Sequence, residues 1–332
     1  MLGPVMRTVI APAAGGPEVL ALVDRPDPVP RADEVLVRVA AAGVNFIDTY
    51  RRSGLYPVPY PLALGSEGAG VVEAVGADVT LVAPGDRVAW AEGPGSYAEL
   101  VTVRERHLLT VPDGVPDEVA AALPLQGLTA HYLVTASHRA EPGETVLVHA
   151  AAGGVGLLLT QLAVARGARV IGTVGAAEKE QLARAAGASE VVRYDELDDL
   201  TAELPAIVRS LTDGLGVAAV YDGVGRSTFD ASLASLARRG TLVLYGASSG
   251  PVPPVDPQRL NTAGSVFLTR PTMGDYLATR AELDWRAGEL FDAVLAGTLD
   301  VRVGARFPLA DAADAHRAIE SRATTGKVLL LP

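Results

Sequence analysis

The sequence predicts an α/β protein that combines a doubly wound parallel sheet with a second, β-rich lobe. The first observation is an alternation of apolar strands and helical segments that begins near Gly127. Strands such as TVLVHAA are apolar throughout, which is typical of a parallel sheet covered by helices on both faces. The second is a series of short apolar runs before Leu125, punctuated by Gly, Pro and Asp, which indicates short strands and tight turns. The length of 332 residues and the 49% hydrophobic content suffice for a large core and two lobes.

The order of the elements divides the chain into three parts. Residues 1–126 carry short strands such as EVLVRVAAAGV, GAGVVEAVG and YAELVTV, and residues 127–271 carry the alternation of strands and helices. Residues 272–332 return to a mixed pattern, with a helix over residues 273–296, the segment VRVGARFPL, a helix over residues 310–321 and a closing KVLLL strand. Because a final strand needs a sheet to join, we expect this tail to complete the first lobe.

Composition and charge exclude several classes of function. A net charge of −11 and the absence of dense basic clusters argue against a nucleic-acid partner. No apolar run reaches the roughly 18 residues of a membrane span, and the start of the chain lacks the pattern of a signal peptide, so we expect a cytoplasmic protein. The chain has no cysteine, and its five histidines show no HxxxH or HExxH spacing, so we expect no metal site.

The stretch HAAAGGVG, residues 149–156, lies between a predicted strand and a predicted helix, and we refer to it as the glycine turn. Aligned to the pattern G-x-G-x-x-G, it places Ala151, Gly153 and Gly156 at the three glycine positions. Gly153 would allow a pyrophosphate to approach the backbone, and Gly156 would allow the helix to pack on the strand. The amides of Gly154 and Val155 would face the phosphates at the helix N-terminus. The glycine turn therefore predicts a dinucleotide site, the alternative being a tight turn without a ligand.

The residues after the second strand of this unit indicate which dinucleotide is bound. NAD-preferring sites usually carry a carboxylate there, but this strand ends in Val174 and Gly175. Lys179 follows in the first turn of the next helix, and Tyr194 closes the third strand. An ammonium and a phenol suit a phosphate monoester, so we expect NADPH as the cofactor. The alternative for Lys179 is a solvated lysine that pairs with a neighbouring glutamate.

Many further motifs lie in a recognisable order along the chain. They are GGPEVL, AAGVNFIDTYRRSGLYP, LGSEGAGVVEAVG, PGDRV, LPLQGLTAHYL, HAAAGGVG, VYDGVG, YGASSG, LTRP and ESRATTGKVLL. With them, the sequence resembles the zinc-free, zeta-crystallin-like quinone oxidoreductases of the medium-chain dehydrogenase/reductase superfamily essentially from end to end. The resemblance implies a GroES-like catalytic domain split around a Rossmann domain, with NADPH in the cleft.

The chain departs from the zinc-dependent relatives at positions that bind the metal. Those relatives carry GHE where this chain has Gly65-Ser66-Glu67, and a zinc-binding cysteine where it has Asn45. Their four-cysteine structural lobe is also absent. The resemblance therefore implies a reaction without the Lewis acid of the zinc enzymes.

The resemblance also implies candidate residues around the substrate. It places Asn45 beside the nicotinamide and turns Tyr50 and Tyr56 toward the substrate. Tyrosine hydroxyls can donate to a quinone oxygen, and their rings can form a wall of the pocket. Ordinary half-buried packing is the alternative for either tyrosine. Asp48 would either orient the tyrosines or begin a helix.

Further residues are candidates for coenzyme binding. Tyr245, Gly246 and Ser248 end the fifth strand at the carboxyl edge of the sheet, where dinucleotides lie. The resemblance implies that Thr129 lies near the nicotinamide ribose, and the sequence predicts that Thr129 begins a helix, which is its alternative role. Arg322 resembles the family arginine that reaches the phosphate end of the cofactor, with a solvated position at a helix end as the alternative.

Two expectations concern assembly and activity. SVFLTRP would be the edge strand of the parallel sheet, and such strands pair across a two-fold axis in this superfamily, so we expect a homodimer. The leading hypothesis is zinc-independent hydride transfer from NADPH to a quinone. The alternatives are an NADPH-dependent reductase of α,β-unsaturated carbonyls and a non-catalytic, crystallin-like NADPH-binding protein.

Overall fold

The structure, a computed structural model, describes residues 4–332. The strands, in chain order, are β1 (Val5–Ala11), β2 (Ala21–Pro26), β3 (Glu34–Val44), β4 (Leu62–Ala63), β5 (Glu67–Val75), β6 (Arg87–Trp90), β7 (Leu100–Arg104), β8 (Leu108–Thr110), β9 (Thr145–Val148), β10 (Arg169–Val174), β11 (Glu190–Arg193), β12 (Val217–Asp222), β13 (Leu236–Leu244), β14 (Phe267–Thr269), β15 (Val303–Pro308) and β16 (Lys327–Leu331).

The helices lie between these strands. In chain order they are α1 (Phe46–Ser53), α2 (Asp117–Ala122), α3 (Pro124–Tyr132), α4 (Gly154–Ala165), α5 (Ala177–Ala185), α6 (Leu200–Ser210), α7 (Phe229–Ser235), α8 (Gln258–Thr262), α9 (Met273–Tyr276), α10 (Arg280–Leu295) and α11 (Ala312–Glu320). The chain divides into two compact units, one made of the residues up to Gln126 with Leu283–Pro332 and the other of Gly127–Glu282.

The second unit is built on a six-stranded parallel sheet with the order β11-β10-β9-β12-β13-β14. The chain winds outward from β9 to β11 and returns through β12 to β14, so the order reverses between β9 and β12. Leu147, Ile171 and Val220 are fully buried in the core, as expected of strands that helices cover on both faces. The predicted α/β class is therefore confirmed, and ligands are expected at the carboxyl ends of these strands.

The first unit consists of two sheets of mostly antiparallel strands, in which only β15 and β16 pair in parallel among the described residues. A three-stranded sheet has the order β2-β1-β4, and a larger sheet has the order β15-β16-β3-β5-β6-β8, with β7 also paired to β3. The closing strand β16 pairs with β3, with Val328 opposite Val44 and Leu329 opposite Gly43. Residues from the two ends of the chain therefore meet in one sheet.

The predicted helix over residues 273–296 is wrong, because the structure breaks it into α9 and α10. The Thr279 hydroxyl oxygen accepts from the Glu282 amide at 3.2 Å, and the Glu282 carboxylate accepts from the Thr279 amide at 3.2 Å. This reciprocal capping box starts a new helix. The pattern T-x-x-E, formed by Thr279 and Glu282, indicates this helix start in the sequence.

The prediction that Thr129 begins a helix is also wrong. Helix α3 begins at Pro124, whose fixed backbone angle and missing N–H suit a first helical position. Thr129 therefore lies inside α3, and its side chain is buried.

Within the first unit, hydrogen bonds between polar side chains connect helix α1 to helix α11. Arg52 donates to the Nδ1 atom of His316 at 2.9 Å and to the Glu320 carboxylate at 2.6 Å. The Tyr97 hydroxyl donates to Asp48 at 3.0 Å and lies 3.2 Å from the Nε2 atom of His316. His316 is therefore neutral, with its hydrogen on Nε2.

We predict that His316 makes the protein less stable at acidic pH. Burial and the adjacent positive charge of Arg52 lower the pKa of His316 to about 3, while an unfolded histidine titrates near 6.5. The unfolded chain therefore binds one more proton between these values, so this contribution is complete above pH 6.5 and is lost as the pH falls toward 3. The slope is about 1.4 kcal/mol per pH unit.

Urea unfolding of the wild type and of His316→Gln at pH 7, 6 and 5 measures this effect. Glutamine can keep a donor and an acceptor but does not titrate, so the variant should lose that part of the slope. Parallel pH dependences in the two proteins would contradict the prediction.

Candidate active site

The glycine turn connects β9 to α4 at the carboxyl edge of the parallel sheet. Gly153 is the N-cap of α4 in an extended conformation, no side chain caps this end, and no acidic residue lies in the first turn. Residues 153–155 are half-buried rather than enclosed. The first amides of this 12-residue helix are therefore available to an anion, and a pyrophosphate group fits them.

The conformation of Ala150 and the space at Gly172 explain why the turn tolerates Ala151 at the first glycine position. The left-handed residue of the turn is Ala150, with φ of 51°, rather than Ala151. The methyl group of Ala151 would lie 2.9 Å from a Cβ atom at Gly172 of β10, so the missing side chain at Gly172 leaves room for it.

Gly156 is the third glycine position of the turn. A Cβ atom at Gly156 would lie 2.3 Å from the Ala150 carbonyl oxygen. Gly156 is thus required for the close packing of α4 on the turn.

The predicted residues after β10 and β13 lie at the same edge of the sheet. Gly175 is exposed directly after β10, and Lys179 is half-buried in the first turn of α5. Tyr245, Gly246 and Ser248 follow the end of β13 and are half-buried. A Cβ atom at Gly246 would lie 2.4 Å from the carbonyl oxygen of Gly223, so the backbones after β12 and β13 are in close contact there.

The Tyr194 hydroxyl points beneath the glycine turn. It contacts the Thr173 hydroxyl and lies 2.5 Å from the Nδ1 atom of His149. Burial raises the pKa of Tyr194 well above its usual range. The hydroxyl that we expected at the coenzyme phosphate is therefore engaged with protein groups, and its role toward the phosphate stays a prediction.

In the first unit, the Asn45 side chain is fully hydrogen-bonded. Its amide nitrogen donates to the Glu67 carboxylate at 2.8 Å and to the Gly43 carbonyl at 3.3 Å. Its amide oxygen accepts from the Lys327 ammonium at 2.8 Å. Both amide hydrogens are used, so Asn45 in this orientation has none left to donate to a substrate.

Lys327 and Glu67 form a buried ion pair that was not predicted from the sequence. Their side chains are 1% and 0% exposed. The Leu125 amide donates to the other carboxylate oxygen of Glu67 at 2.7 Å. A Cβ atom at Gly43 would lie 2.3 Å from Glu67 and 2.7 Å from Lys327, so this glycine makes room for the pair. A lysine at the start of the apolar strand KVLLL, in a chain with two lysines, was the available signal.

The sequence left open whether Asp48 orients the tyrosines or begins a helix, and its contacts place it at the start of α1. Its carboxylate accepts from the Asn45 amide at 3.0 Å, which makes Asp48 the helix-start residue in the capping box of α1. The Ser66 hydroxyl also donates to Asp48 at 2.8 Å and accepts from Arg51 at 2.8 Å. Asn45 and Ser66, which stand at zinc-ligand positions of the zinc-dependent relatives, are thus hydrogen-bonded within the protein.

Tyr50 and Tyr56 form an aromatic surface beside α1. Their ring centroids lie 5.3 Å apart, and Phe46 lies 6.2 Å from Tyr50. The Tyr56 amide donates to the Tyr50 carbonyl at 3.1 Å, which fixes the loop after α1. Both tyrosines are half-buried, so this surface combines ring area with polar hydroxyl groups.

The remaining predicted residue, Arg322, follows α11 and is exposed, with φ of 58°. Across residues 4–332, no group of three or more acidic, histidine or cysteine side chains could hold a metal ion. None of the helices described by the structure combines the length and hydrophobicity that a bilayer crossing requires.

The two units together have the organisation of a dinucleotide-dependent dehydrogenase. Residues 31–113 match the family model of the alcohol dehydrogenase GroES-like domain, and residues 154–286 match that of the zinc-binding dehydrogenases. The chain is 48% identical over 322 residues to a quinone oxidoreductase of Pseudomonas aeruginosa, covering 96% of this chain and 98% of the relative. It is 45% identical to quinone oxidoreductase 1 of Escherichia coli, covering 96% and 97% of the two chains.

Solved structures agree with this similarity. A mycobacterial protein complexed with NADPH is 54% identical with a TM-score of 0.95, covering 98% of this chain and 100% of its own. The Escherichia coli quinone oxidoreductase complexed with NADPH is 43% identical, with the same TM-score and coverage. The chain belongs to the quinone oxidoreductase family of the medium-chain dehydrogenase/reductase superfamily. The resemblance seen in the sequence and the GroES-like domain are therefore confirmed.

Proposed function

We propose that the protein catalyses hydride transfer from NADPH to a quinone. The observation that carries this proposal is the uncapped glycine turn beside strand β10, which ends at Val174 and is followed by Gly175 instead of a carboxylate. Relatives named quinone oxidoreductase at 45% to 48% identity and two similar structures complexed with NADPH support it. A 2-haloacrylate reductase of Burkholderia is 39% identical, so reduction of an activated alkene has weaker support.

The coenzyme would be held mainly at the carboxyl edge of the parallel sheet. The helix N-terminus at residues 154–156 would bind the pyrophosphate, and Gly153 would allow its approach. Lys179 would pair with the 2′-phosphate, for which the absence of a carboxylate after β10 leaves space without repulsion. The other proposed contacts are Thr129, Gly175, Tyr194, Tyr245, Gly246, Ser248 and Arg322.

The substrate would contact residues of the first unit. NADPH, when bound, supplies the hydride from its nicotinamide ring. Tyr50 and Tyr56 would stack against the quinone and donate hydrogen bonds to its oxygen as negative charge develops there. Because both amide hydrogens of Asn45 are engaged, we assign Asn45 to shaping the surface beside the nicotinamide. Lys327 and Glu67 would hold it in that position.

Substitution of Lys179 is predicted to abolish the preference for NADPH. The wild type should bind NADPH more tightly than NADH, and Lys179→Ala should weaken NADPH about tenfold because a charge-assisted contact is lost. Binding of NADH should not change. The matched control is Arg184→Ala, which removes another cation of α5, one that pairs with Glu180 at 2.9 Å. Equal affinity of the wild type for the two coenzymes would contradict the assignment of Lys179.

A substrate panel tests the reaction itself. NADPH oxidation is followed at 340 nm with quinones and with α,β-unsaturated carbonyls, before and after treatment with a chelator. We expect faster turnover of quinones and full activity after chelation, because the zinc-ligand positions carry Asn45 and Ser66. Turnover of enones alone would refute the quinone assignment, and loss of activity after chelation would refute a metal-free reaction.

We also propose a homodimer, a cytoplasmic location and the domain limits. Strand β14 lies at the edge of the parallel sheet and leaves Phe267 62% exposed, which supports pairing with the same strand of a second copy. Light scattering, which reports the molar mass, of the wild type and of Phe267→Glu tests whether the protein forms this dimer.

The proposed domain limits follow the division seen in the sequence. Residues 1–126 and 272–332 would form the catalytic domain, and residues 127–271 the NADPH-binding domain.

A further inference from the structure

Arg51, near the end of helix α1, is a half-buried cation that forms no ion pair with any residue that the structure describes. Its side chain makes one hydrogen bond, in which Nη1 donates to the Ser66 hydroxyl at 2.8 Å. The Nε and Nη2 atoms have no partner within residues 4–332. The N–H groups of these two atoms are parallel, which is the geometry that binds both oxygens of a carboxylate. We call them the free edge of Arg51.

The next residue in the chain, Arg52, shows how a structural arginine is bonded in the same helix. Its side chain is 3% exposed. Its Nε atom donates to the Gly15 carbonyl at 3.0 Å, Nη1 donates to His316 at 2.9 Å, and Nη2 donates to the Glu320 carboxylate at 2.6 Å. All three nitrogens of Arg52 are therefore used within the protein, whereas Arg51 uses only one.

Two carboxylates lie within the electrostatic range of Arg51, but both are bonded to other groups. Asp48 accepts from the Ser66 hydroxyl at 2.8 Å, so Ser66 connects Asp48 to Arg51 and the two charged groups do not pair directly. Glu92 lies 3.2 Å from the Nδ1 atom of His107. The charge of Arg51 is thus compensated only in part, and its free edge stays available to an anion.

Hydrogen bonds connect Arg51 to the residues that we assign to the acceptor. The Asp48 carboxylate accepts from both the Ser66 hydroxyl and the Asn45 amide, so the group that holds Arg51 also holds the start of α1 at Asn45. Ser66 is 4% exposed, which makes it a fixed support for the guanidinium group. Arg51 also follows Tyr50 directly in α1. The cation therefore borders the part of the first unit that is proposed to bind the quinone.

We propose that Arg51 is a specificity-determining residue of the acceptor site: its free edge binds a carboxylate carried on a side chain of the quinone. This inference rests on the proposed function, because it assumes a quinone against Tyr50. The carboxylate stays charged and lies away from the reacting ring, so no bond forms or breaks at Arg51. The contact favours acidic quinones over neutral ones, because only an acidic quinone can use the two parallel N–H groups.

The test uses one quinone in two forms, a naphthoquinone with a propionic acid side chain and its methyl ester. The side chain separates the charge from the ring, so the two acceptors have similar intrinsic reactivity. We measure kcat/KM for both with saturating NADPH and expect the wild type to prefer the acid. Arg51→Met should lower the ratio of the two values about tenfold, because a charge-assisted contact is lost. Arg51→Lys keeps the charge without the parallel N–H groups and should give an intermediate ratio.

The matched control is Arg38→Met, which removes an exposed arginine of the same unit, one that pairs with Glu73. It changes the net charge by the same amount as Arg51→Met and should keep the ratio of the wild type. A wild-type ratio in Arg51→Met would overturn the proposal, including the case in which both values of kcat/KM fall together. An equal decrease of the ratio in Arg38→Met would also overturn it, since long-range steering by net charge would then be the cause.

Binding without turnover separates this inference from the proposed function. Isothermal titration calorimetry in the presence of NADP⁺ gives the affinity of each protein for the acid and for the ester. The wild type should bind the acid more tightly than the ester, and Arg51→Met should lose this preference. If that result is obtained while neither quinone oxidises NADPH, the proposed function fails and the role of Arg51 stands. Equal affinities of the wild type for acid and ester would overturn the role of Arg51.

Discussion

Replacing Lys327 with methionine should lower the free energy of unfolding by about 3–5 kcal/mol, because it leaves Glu67 as a buried charge without its counter-ion. Methionine has a similar length and adds no polar group, so the change removes mainly the ammonium. Burial raises the pKa of Glu67, and the loss of Lys327 would raise it further. The variant should therefore recover stability relative to the wild type as the pH is lowered and Glu67 takes up a proton.

Urea unfolding followed by circular dichroism measures this loss. The double variant Glu67→Gln, Lys327→Met leaves no buried charge and should be more stable than the single variant. The double variant also keeps an amide that can accept from Leu125 and bond to Asn45. A single variant that unfolds at the same urea concentration as the wild type would show that the ion pair does not hold this part of the sheet together.

Replacing Gly156 with alanine should weaken NADPH binding by at least about tenfold. The new methyl group would lie 2.3 Å from the Ala150 carbonyl oxygen and 2.8 Å from the Ala151 Cα atom, both of which belong to the backbone. Helix α4 would have to move away from β9, and the amides of its first turn would move with it. Overpacking of this kind costs about 1–3 kcal/mol.

Fluorescence titration with NADPH measures the change in affinity. The control is Gly288→Ala inside α10, where an added Cβ atom would meet no atom within 4 Å. That variant should bind NADPH normally and gain up to about 1 kcal/mol of stability, since alanine is a better helix former than glycine. Normal affinity in Gly156→Ala would show that the turn does not need the close contact.

Local patterns were sufficient to predict the class of the fold and the position of the glycine turn. The apolar strands and the turn residues between them are short-range features, and they located β9, β10 and α4 directly. The break between α9 and α10 was also local, because the capping residues Thr279 and Glu282 are three positions apart.

The pairing of Lys327 with Glu67 was not predictable from local patterns. The two residues are 260 positions apart, and they meet only because β16 and β5 pair with the two sides of β3. The direction of the Tyr194 hydroxyl was not predictable for a similar reason, since its partner His149 follows β9 whereas Tyr194 follows β11. Side-chain partners depend on tertiary packing, whereas periodicity reports only which face of an element is buried.

The contact between Ala151 and Gly172 limits the order in which these two positions can change during evolution. A side chain at Gly172 would collide with the methyl group of Ala151, so alanine can enter position 172 only after position 151 has become glycine. The residue at each of these two positions therefore limits which residues the other position can accept. A search pattern that requires glycine at position 151 would therefore miss every sequence that has alanine at position 151 and glycine at position 172 of the neighbouring strand.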